Sequence, residues 1–167
     1  MNLIFNMSFI DLELPVSLTT TSNDPIKEFF EPALGAAISY DIAVGYFSSN
    51  WIRDAAKGIA MFAKNGGHSR WVISPQLSQE DWDLLSGATL EEKNKIVESI
   101  SIRSIEELQE ALELETRNTI GWLIYDRILE FKLAVPKNNL DGIFHAKMGI
   151  LKDVEGNKIA FSGSYNL

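Results

Sequence analysis

Residues 40–47, Tyr40-Asp-Ile-Ala-Val-Gly-Tyr-Phe47, form a nearly continuous apolar run, which is typical of a β-strand covered on both faces. The Ser-Ser-Asn of residues 48–50 is suited to cap a helix, predicted over residues 51–64, and the Asn-Gly-Gly of residues 65–67 ends it. A second apolar run at residues 71–74 predicts another buried strand. The order strand, helix, strand predicts a right-handed crossover between parallel strands.

The stretches on either side of this unit predict more helices and one more strand. Residues 1–14 alternate weakly and predict a short strand. Asp24 followed by Pro25 predicts the start of a helix that continues to Leu34. Three helices fit residues 79–129, and a strand fits residues 131–135.

The C-terminal stretch predicts a β-hairpin. Residues 144–151 and 158–162 have the composition of strands, and Glu155-Gly156-Asn157 is a turn signal between them. With the preceding elements, this predicts an α/β fold with a mixed, largely parallel sheet sandwiched by helices. We expect residues 1–167 to form a single domain, and we expect the chain to be a fragment of a longer one.

Composition and charge exclude several classes of protein. The chain has 167 residues, no cysteine and a net charge of −8. Residues 79–116 hold eleven acidic and three basic residues, so this stretch accounts for the whole net charge and the remainder is balanced. The absence of cysteine excludes disulfides, thiolate catalysis and cysteine-ligated zinc, and it fits a cytoplasmic protein. The acidic Asp11 and Glu13 within the first apolar stretch argue against a signal peptide, and no apolar run is long enough to cross a membrane.

The first strand of the hairpin carries a histidine and a lysine on one face. Side chains alternate along a strand, so one face is apolar and is expected in the core, with Phe144, Ala146, Met148 and Ile150. His145, Lys147 and Gly149 share the opposite face, where the glycine is expected to leave open space. An anion could be bound there between an imidazole and an ammonium group.

Pairing within the hairpin brings further polar groups to these two residues. If the loop centres near Glu155, antiparallel pairing places His145 opposite Tyr165 and Lys147 opposite Gly163. Glycine permits close backbone approach. The end of the second strand also supplies two short donors for phosphate oxygens, Ser164 and Asn166.

Together these residues resemble a known catalytic motif. His145-Ala-Lys147, an acid at Asp153 and Gly163-Ser-Tyr-Asn166 are similar to the His-x-Lys, Asp, Gly-Ser-x-Asn motif of the phospholipase D superfamily. Residues 42–48 and 71–75 resemble two earlier strands of that family more loosely. The motif is most similar to the type found with bacterial helicases and restriction enzymes. In that family four residues usually separate the lysine from the aspartate, and here there are five.

The resemblance implies a hydrolase, a metal-independent phosphodiesterase that needs no cofactor. In the family one histidine attacks phosphorus to form a phosphohistidine and a second histidine protonates the leaving oxygen. His145 would be the nucleophile or the acid and Lys147 the phosphate clamp. Gly163, Ser164 and Asn166 would bind the phosphate, and Asp153 would be a structural support.

The resemblance also implies a substrate and a partner. We expect a DNA endonuclease, in a role such as bacterial defence or restriction, with no membrane partner. The other histidine of the chain, His68, reads as a loop residue, so the second catalytic histidine would come from a homodimer or from sequence beyond Leu167. Two alternatives stay open: a non-catalytic module for nucleic-acid binding or dimerisation in a helicase or restriction complex, and a phospholipid hydrolase.

Overall fold

A computed structural model describes residues 7–45, 49–74, 79–111, 114–134 and 147–164 of the chain. A 3₁₀ turn (Phe9–Asp11) is followed by a π-helical turn (Ile26–Phe30) and by six α-helices and five strands. The helices are α1 (Glu31–Ala36), α2 (Ser49–Asp54), α3 (Ala56–Lys64), α4 (Gln79–Gly87), α5 (Leu90–Ala111) and α6 (Leu114–Tyr125). The strands are β1 (Ala37–Val44), β2 (His68–Ile73), β3 (Leu129–Leu133), β4 (Lys147–Asp153) and β5 (Lys158–Ser162).

The strands form one mixed sheet in the order β3-β2-β1-β4-β5. β1 pairs in parallel with β2, and β2 with β3, whereas β4 is antiparallel to both β1 and β5. Parallel pairing of β1 with β2 confirms the predicted parallel pair. The helix predicted over residues 51–64 is divided at Ala55 into α2 and α3. The apolar run that predicted a doubly covered strand overlaps β1, the central strand. Because two of the four pairings are antiparallel, the sheet is mixed rather than largely parallel.

A change from π-helical to α-helical hydrogen bonding accommodates a proline in the helical segment of residues 26–36. The backbone amide of Glu31 donates to the carbonyl oxygen of Ile26, so the helix starts in π register. The change of register at Glu31 puts Pro32 at the second position of α1. No amide proton is needed there, so the proline that would break a continuous helix is accommodated.

The core lies between one face of the sheet and the helices packed on it. Tyr40, Ile42 and Val44 of β1 are buried there. Edge-to-face aromatic pairs link the layers, including Phe30 with Phe161 at a centroid distance of 5.4 Å and Trp51 with Trp71 at 5.3 Å. Such pairs contribute about 1 kcal/mol each beyond their burial. No helix in the described parts of the chain is long and apolar enough to cross a bilayer.

The other face of the sheet is exposed, which reverses the prediction for β4. Met148 and Ile150, expected in the core, are 48% and 51% exposed. Lys147, Gly149, Leu151 and Asp153 face the helices instead, and all four are buried. The predicted sandwich of helices on both faces is therefore not what the described residues form.

Phe161 explains this reversal. It lies opposite Gly149 on β5, and a Cβ atom added to Gly149 would be 2.5 Å from its ring. The space expected above Gly149 is therefore filled, because the neighbouring strand supplies the apolar volume that β4 lacks. Apolar alternation within a single strand does not reveal such a contribution from its neighbour.

Candidate functional site

The candidate site lies at the edge of the sheet where the parallel strands end. Val44, Ile73 and Leu133 are the last residues of β1, β2 and β3, and the register aligns all three. β4 begins at this edge, because Lys147 pairs with Val44. Ligands of open α/β sheets bind in crevices outside the carboxyl ends of the strands. The edge at which ligands bind in such sheets is therefore also the edge where Lys147 of the motif lies.

The structure brings three of the predicted site residues together at this edge. The amide nitrogen of Gly163 donates to the carbonyl oxygen of Lys147 over 2.9 Å, which confirms the predicted pairing of these two residues. Lys147 is only 3% exposed. Gly163 and Ser164 are exposed directly after β5. A buried lysine therefore lies beside an accessible backbone turn and a hydroxyl group.

These three residues line a cavity of about 810 Å³. The N-terminal chain between residues 12 and 21 forms the opposite wall, and Phe29 and Phe161 contribute to the lining. The cavity thus lies between the N-terminal segment of residues 12–21 and the end of the β4–β5 hairpin. Sequence reasoning missed the N-terminal wall. Its only signal was the leucines at positions 12, 14 and 18, which are partly buried against the core.

Three further predicted positions cannot be compared with the structure. His145, Tyr165 and Asn166 lie outside the described residues. The predicted pairing of His145 with Tyr165, and the roles of His145 and Asn166, therefore stay predictions.

Asp153 lies at the far end of β4 from Lys147. Asp153 is six positions after Lys147, which is about 20 Å along an extended strand. Four hydrogen bonds end on its buried carboxylate, from Ser8 Oγ (2.9 Å), the Phe9 amide (2.9 Å), the Asn157 amide (2.8 Å) and Asn157 Nδ2 (2.9 Å). Burial opposes ionisation, but the bonds from Asn157, Phe9 and Ser8 outweigh it and hold the pKa of Asp153 well below its usual range. Asp153 thus ties the N-terminal segment to the hairpin turn.

The extra residue between Lys147 and Asp153 explains why the aspartate lies on the helix-covered face of the sheet. Lys152 occupies the place where the family pattern has its acid, and it is exposed on the open face. Asp153 is an even number of residues from Lys147, so both side chains lie on the helix-covered face. The turn that follows requires Gly156, which has a φ of 93°.

His68 and three cationic residues, Lys152, Lys158 and Arg70, lie away from the cavity. Lys152 pairs with Lys158 on the open face, opposite to the face of Lys147. On that same face Arg70 Nε donates to Asp41 Oδ1 over 2.8 Å, and this bond lowers the pKa of Asp41 despite its partial burial. His68 is the first residue of β2 rather than a loop residue, so it is about 17 Å along the strand from the edge with Lys147.

Among the residues that the structure describes, no cluster of histidine, aspartate and glutamate side chains could hold a metal ion. The residues that line the cavity are the buried Lys147, the exposed Gly163 and Ser164, and aromatic and aliphatic side chains. These groups suit a ligand that combines an anionic group with an apolar or flat part.

Comparisons of this chain with protein-family models, with curated proteins and with solved structures each find no match. The resemblance of the motif and the geometry of the cavity are therefore the grounds for a functional proposal.

Proposed function

We propose that this chain is a metal-independent phosphodiesterase that cleaves DNA through a phosphohistidine intermediate. The observation that carries the proposal is the meeting of Lys147, Gly163 and Ser164 on one cavity at the carboxyl edge of the sheet. The hydrogen bond between Gly163 and Lys147 supports it, because the hairpin brings the lysine and the Gly-Ser pair of the motif together. Lys147 neutralises a non-bridging phosphate oxygen, and Ser164 donates to another.

His145 acts within reach of the same phosphate. Two residues along the chain span at most about 7 Å, so covalent connectivity alone keeps its Cα atom near that of Lys147. In the proposed reaction an imidazole nitrogen of one histidine forms a bond to phosphorus while the bond to the leaving oxygen breaks. A second histidine donates a proton to that oxygen. Water then attacks the phosphohistidine, and the first histidine leaves as the second accepts a proton from the water.

A second copy of the chain is the proposed source of the second histidine. His68 lies at the opposite edge of the sheet, so it cannot act at the Lys147 edge of its own chain without a large rearrangement. A twofold axis would bring two copies of His145 to one phosphate. Analytical ultracentrifugation is expected to show a dimer. A monomer that retained full activity at all concentrations would contradict this part of the proposal.

Cleavage of supercoiled plasmid in EDTA tests the activity. The wild-type protein is expected to nick and linearise the plasmid without metal. We expect His145→Ala to lose this activity, whereas His68→Ala, the matched control, retains it. Absence of cleavage by the wild-type protein, or equal cleavage by His145→Ala, would contradict the proposal. Hydrolysis of a short-chain phosphatidylcholine in place of DNA would favour the phospholipid alternative.

A further inference from the structure

The cavity beside Lys147 has two chemically different kinds of lining. Apolar surface comes from the leucines of the N-terminal wall and from Phe29 and Phe161. Residues with hydroxyl groups line it from the N-terminal wall, namely Ser17 and Thr20, and from the end of the hairpin, namely Ser164. A ligand that fills the cavity must therefore offer apolar faces together with polar edges. A nucleobase has this character, because its faces stack on apolar side chains and its edges form hydrogen bonds.

The volume and the position of the cavity limit how a nucleic acid can enter it. About 810 Å³ lies within the range of pockets that enclose a small molecule. Lys147 lines this cavity, with only 3% of its surface exposed. A phosphate that reaches the lysine therefore brings its neighbouring nucleoside into the cavity. In an intact duplex that base is paired and stacked, and it must be extruded before it can enter.

We propose that the cavity binds one unpaired nucleobase next to the phosphate held by Lys147, so that the substrate is single-stranded or locally unpaired DNA. This inference rests on the proposed function and extends it, because it selects the form of the substrate. An acyl chain would also fill the apolar part. It would cover the hydroxyl groups without giving them partners, and buried polar groups without partners are unfavourable.

The N-terminal wall is held at both ends, as a binding wall requires. At its start Ser8 and the Phe9 amide bind the Asp153 carboxylate. At its end the Asn23 amide donates to the Thr19 carbonyl oxygen over 2.9 Å, and Asn23 Oδ1 accepts from the Thr19 amide over 3.1 Å. Asn23 Nδ2 also donates to Glu28 Oε2 over 2.9 Å, which ties this turn to the helical segment that follows.

Three DNA substrates and two matched variants test this inference. The substrates are a short single strand, its fully paired duplex, and a set of the same single strands with one abasic position each. Leu14→Trp adds a bulky side chain to the cavity lining, whereas Glu13→Trp adds the same side chain to the exposed neighbouring position outside that lining. Cleavage is measured in EDTA, and binding is measured by fluorescence anisotropy with His145→Ala protein.

The single strand is expected to be cleaved and bound at least about tenfold better than the duplex. Within the set, the single strand that lacks the base bound in the cavity is expected to show cleavage and binding that are about tenfold lower. Leu14→Trp should lower cleavage and binding of the intact single strand by the same factor. It should lower them little further for the strand with the abasic position, because the mutation and the missing base remove the same interaction. Glu13→Trp should resemble the wild type.

The remaining outcomes separate this inference from the proposed function. Equal cleavage of duplex and single strand, with Leu14→Trp as active as Glu13→Trp, would overturn the inference and leave the function standing. Absence of cleavage, with binding of the single strand still lowered by Leu14→Trp and by one abasic position, would overturn the function and support the cavity. DNA that is neither bound nor cleaved would overturn both.

Discussion

The two ends of β4 carry buried residues of opposite charge on the same face of the sheet, in different surroundings. Asp153 is enclosed by donors of its own chain, from the N-terminal segment and from the turn that follows. Lys147 lines a cavity that is open to a ligand. Burial alone therefore does not distinguish a site residue from a structural one. The position relative to the cavity does: Asp153 does not line it and has a structural role, whereas we propose a chemical role for Lys147, which lines it.

The largest expected effect is on catalysis at the lysine end. Lys147→Met keeps the apolar length of the side chain and removes the charge. We expect cleavage in EDTA to fall by about 100- to 1,000-fold, because a donor to the developing charge is lost. Lys152→Met, on the exposed face of the same strand, is the matched control and should stay within about twofold of the wild type. Urea unfolding should show that both variants fold. Equal activity of the two variants would remove Lys147 from the site.

A large effect on stability is expected at the aspartate end. Asp153→Ala removes the side-chain acceptor of the Phe9 and Asn157 amides. It also removes one of the acceptors of the Ser8 hydroxyl and of Asn157 Nδ2, which keep their bonds to Glu155. The free energy of unfolding should fall by about 3 kcal/mol, measured by urea denaturation. Asp126→Ala, at an exposed position, should change it by less than about 0.5 kcal/mol. If the two variants were equally stable, Asp153 would not anchor the N-terminal segment.

The middle of β4 should show a smaller effect that depends on its neighbour. Gly149→Ala places a methyl group against the Phe161 ring and near the Asp41 carbonyl oxygen, and we expect a loss of about 2 kcal/mol. In a double-mutant cycle, Phe161→Leu should absorb part of this loss by making room. Strictly additive losses would show that the ring does not fill the space above Gly149.

The smallest effect is expected in the acid dependence of stability. The pKa of Asp153 is lowered in the folded state, so its ionised form stabilises the protein fully above about pH 4, the ordinary value for aspartate. That contribution decreases as the pH falls from there towards the folded pKa, because the unfolded chain binds the proton first. Asp153→Asn should flatten the slope of unfolding free energy against pH below pH 4. An unchanged slope would mean that other carboxyl groups dominate acid unfolding.

Local sequence patterns predicted the three parallel strands and the C-terminal hairpin. The strand predicted over residues 1–14 was wrong for its described part, residues 7–14, where Ser8 caps a 3₁₀ turn and no strand forms. The parallel pairing of β1 with β2 and the pairing of Lys147 with Gly163 follow from apolar runs, turn residues and strand alternation. Residues 158–162 form a strand with the predicted bounds. β1 begins three residues earlier than its apolar run because Ala37 and Ser39 also pair with β4. Hydrogen bonding between strands thus extends a strand beyond the apolar run from which it is predicted.

The parts that could not be predicted depend on contacts between distant segments. Met148 and Ile150 are exposed because Phe161 fills the core above Gly149. The bonds of Asp153 to Ser8 and Phe9 join positions 145 and 144 residues apart in the sequence. The N-terminal wall of the cavity has the same origin. Such contacts leave no periodic pattern in either of the segments that form them.

The central claim is that the Lys147 edge carries out phosphodiester cleavage through a histidine of this chain. Single-turnover reaction of excess protein with a uniformly labelled single strand in EDTA, quenched in alkaline detergent, tests it most directly, because a phosphohistidine survives alkali. The account predicts a labelled protein band with the wild type and none with His145→Ala. Cleavage that never labels the protein and that requires added Mg²⁺ would contradict it.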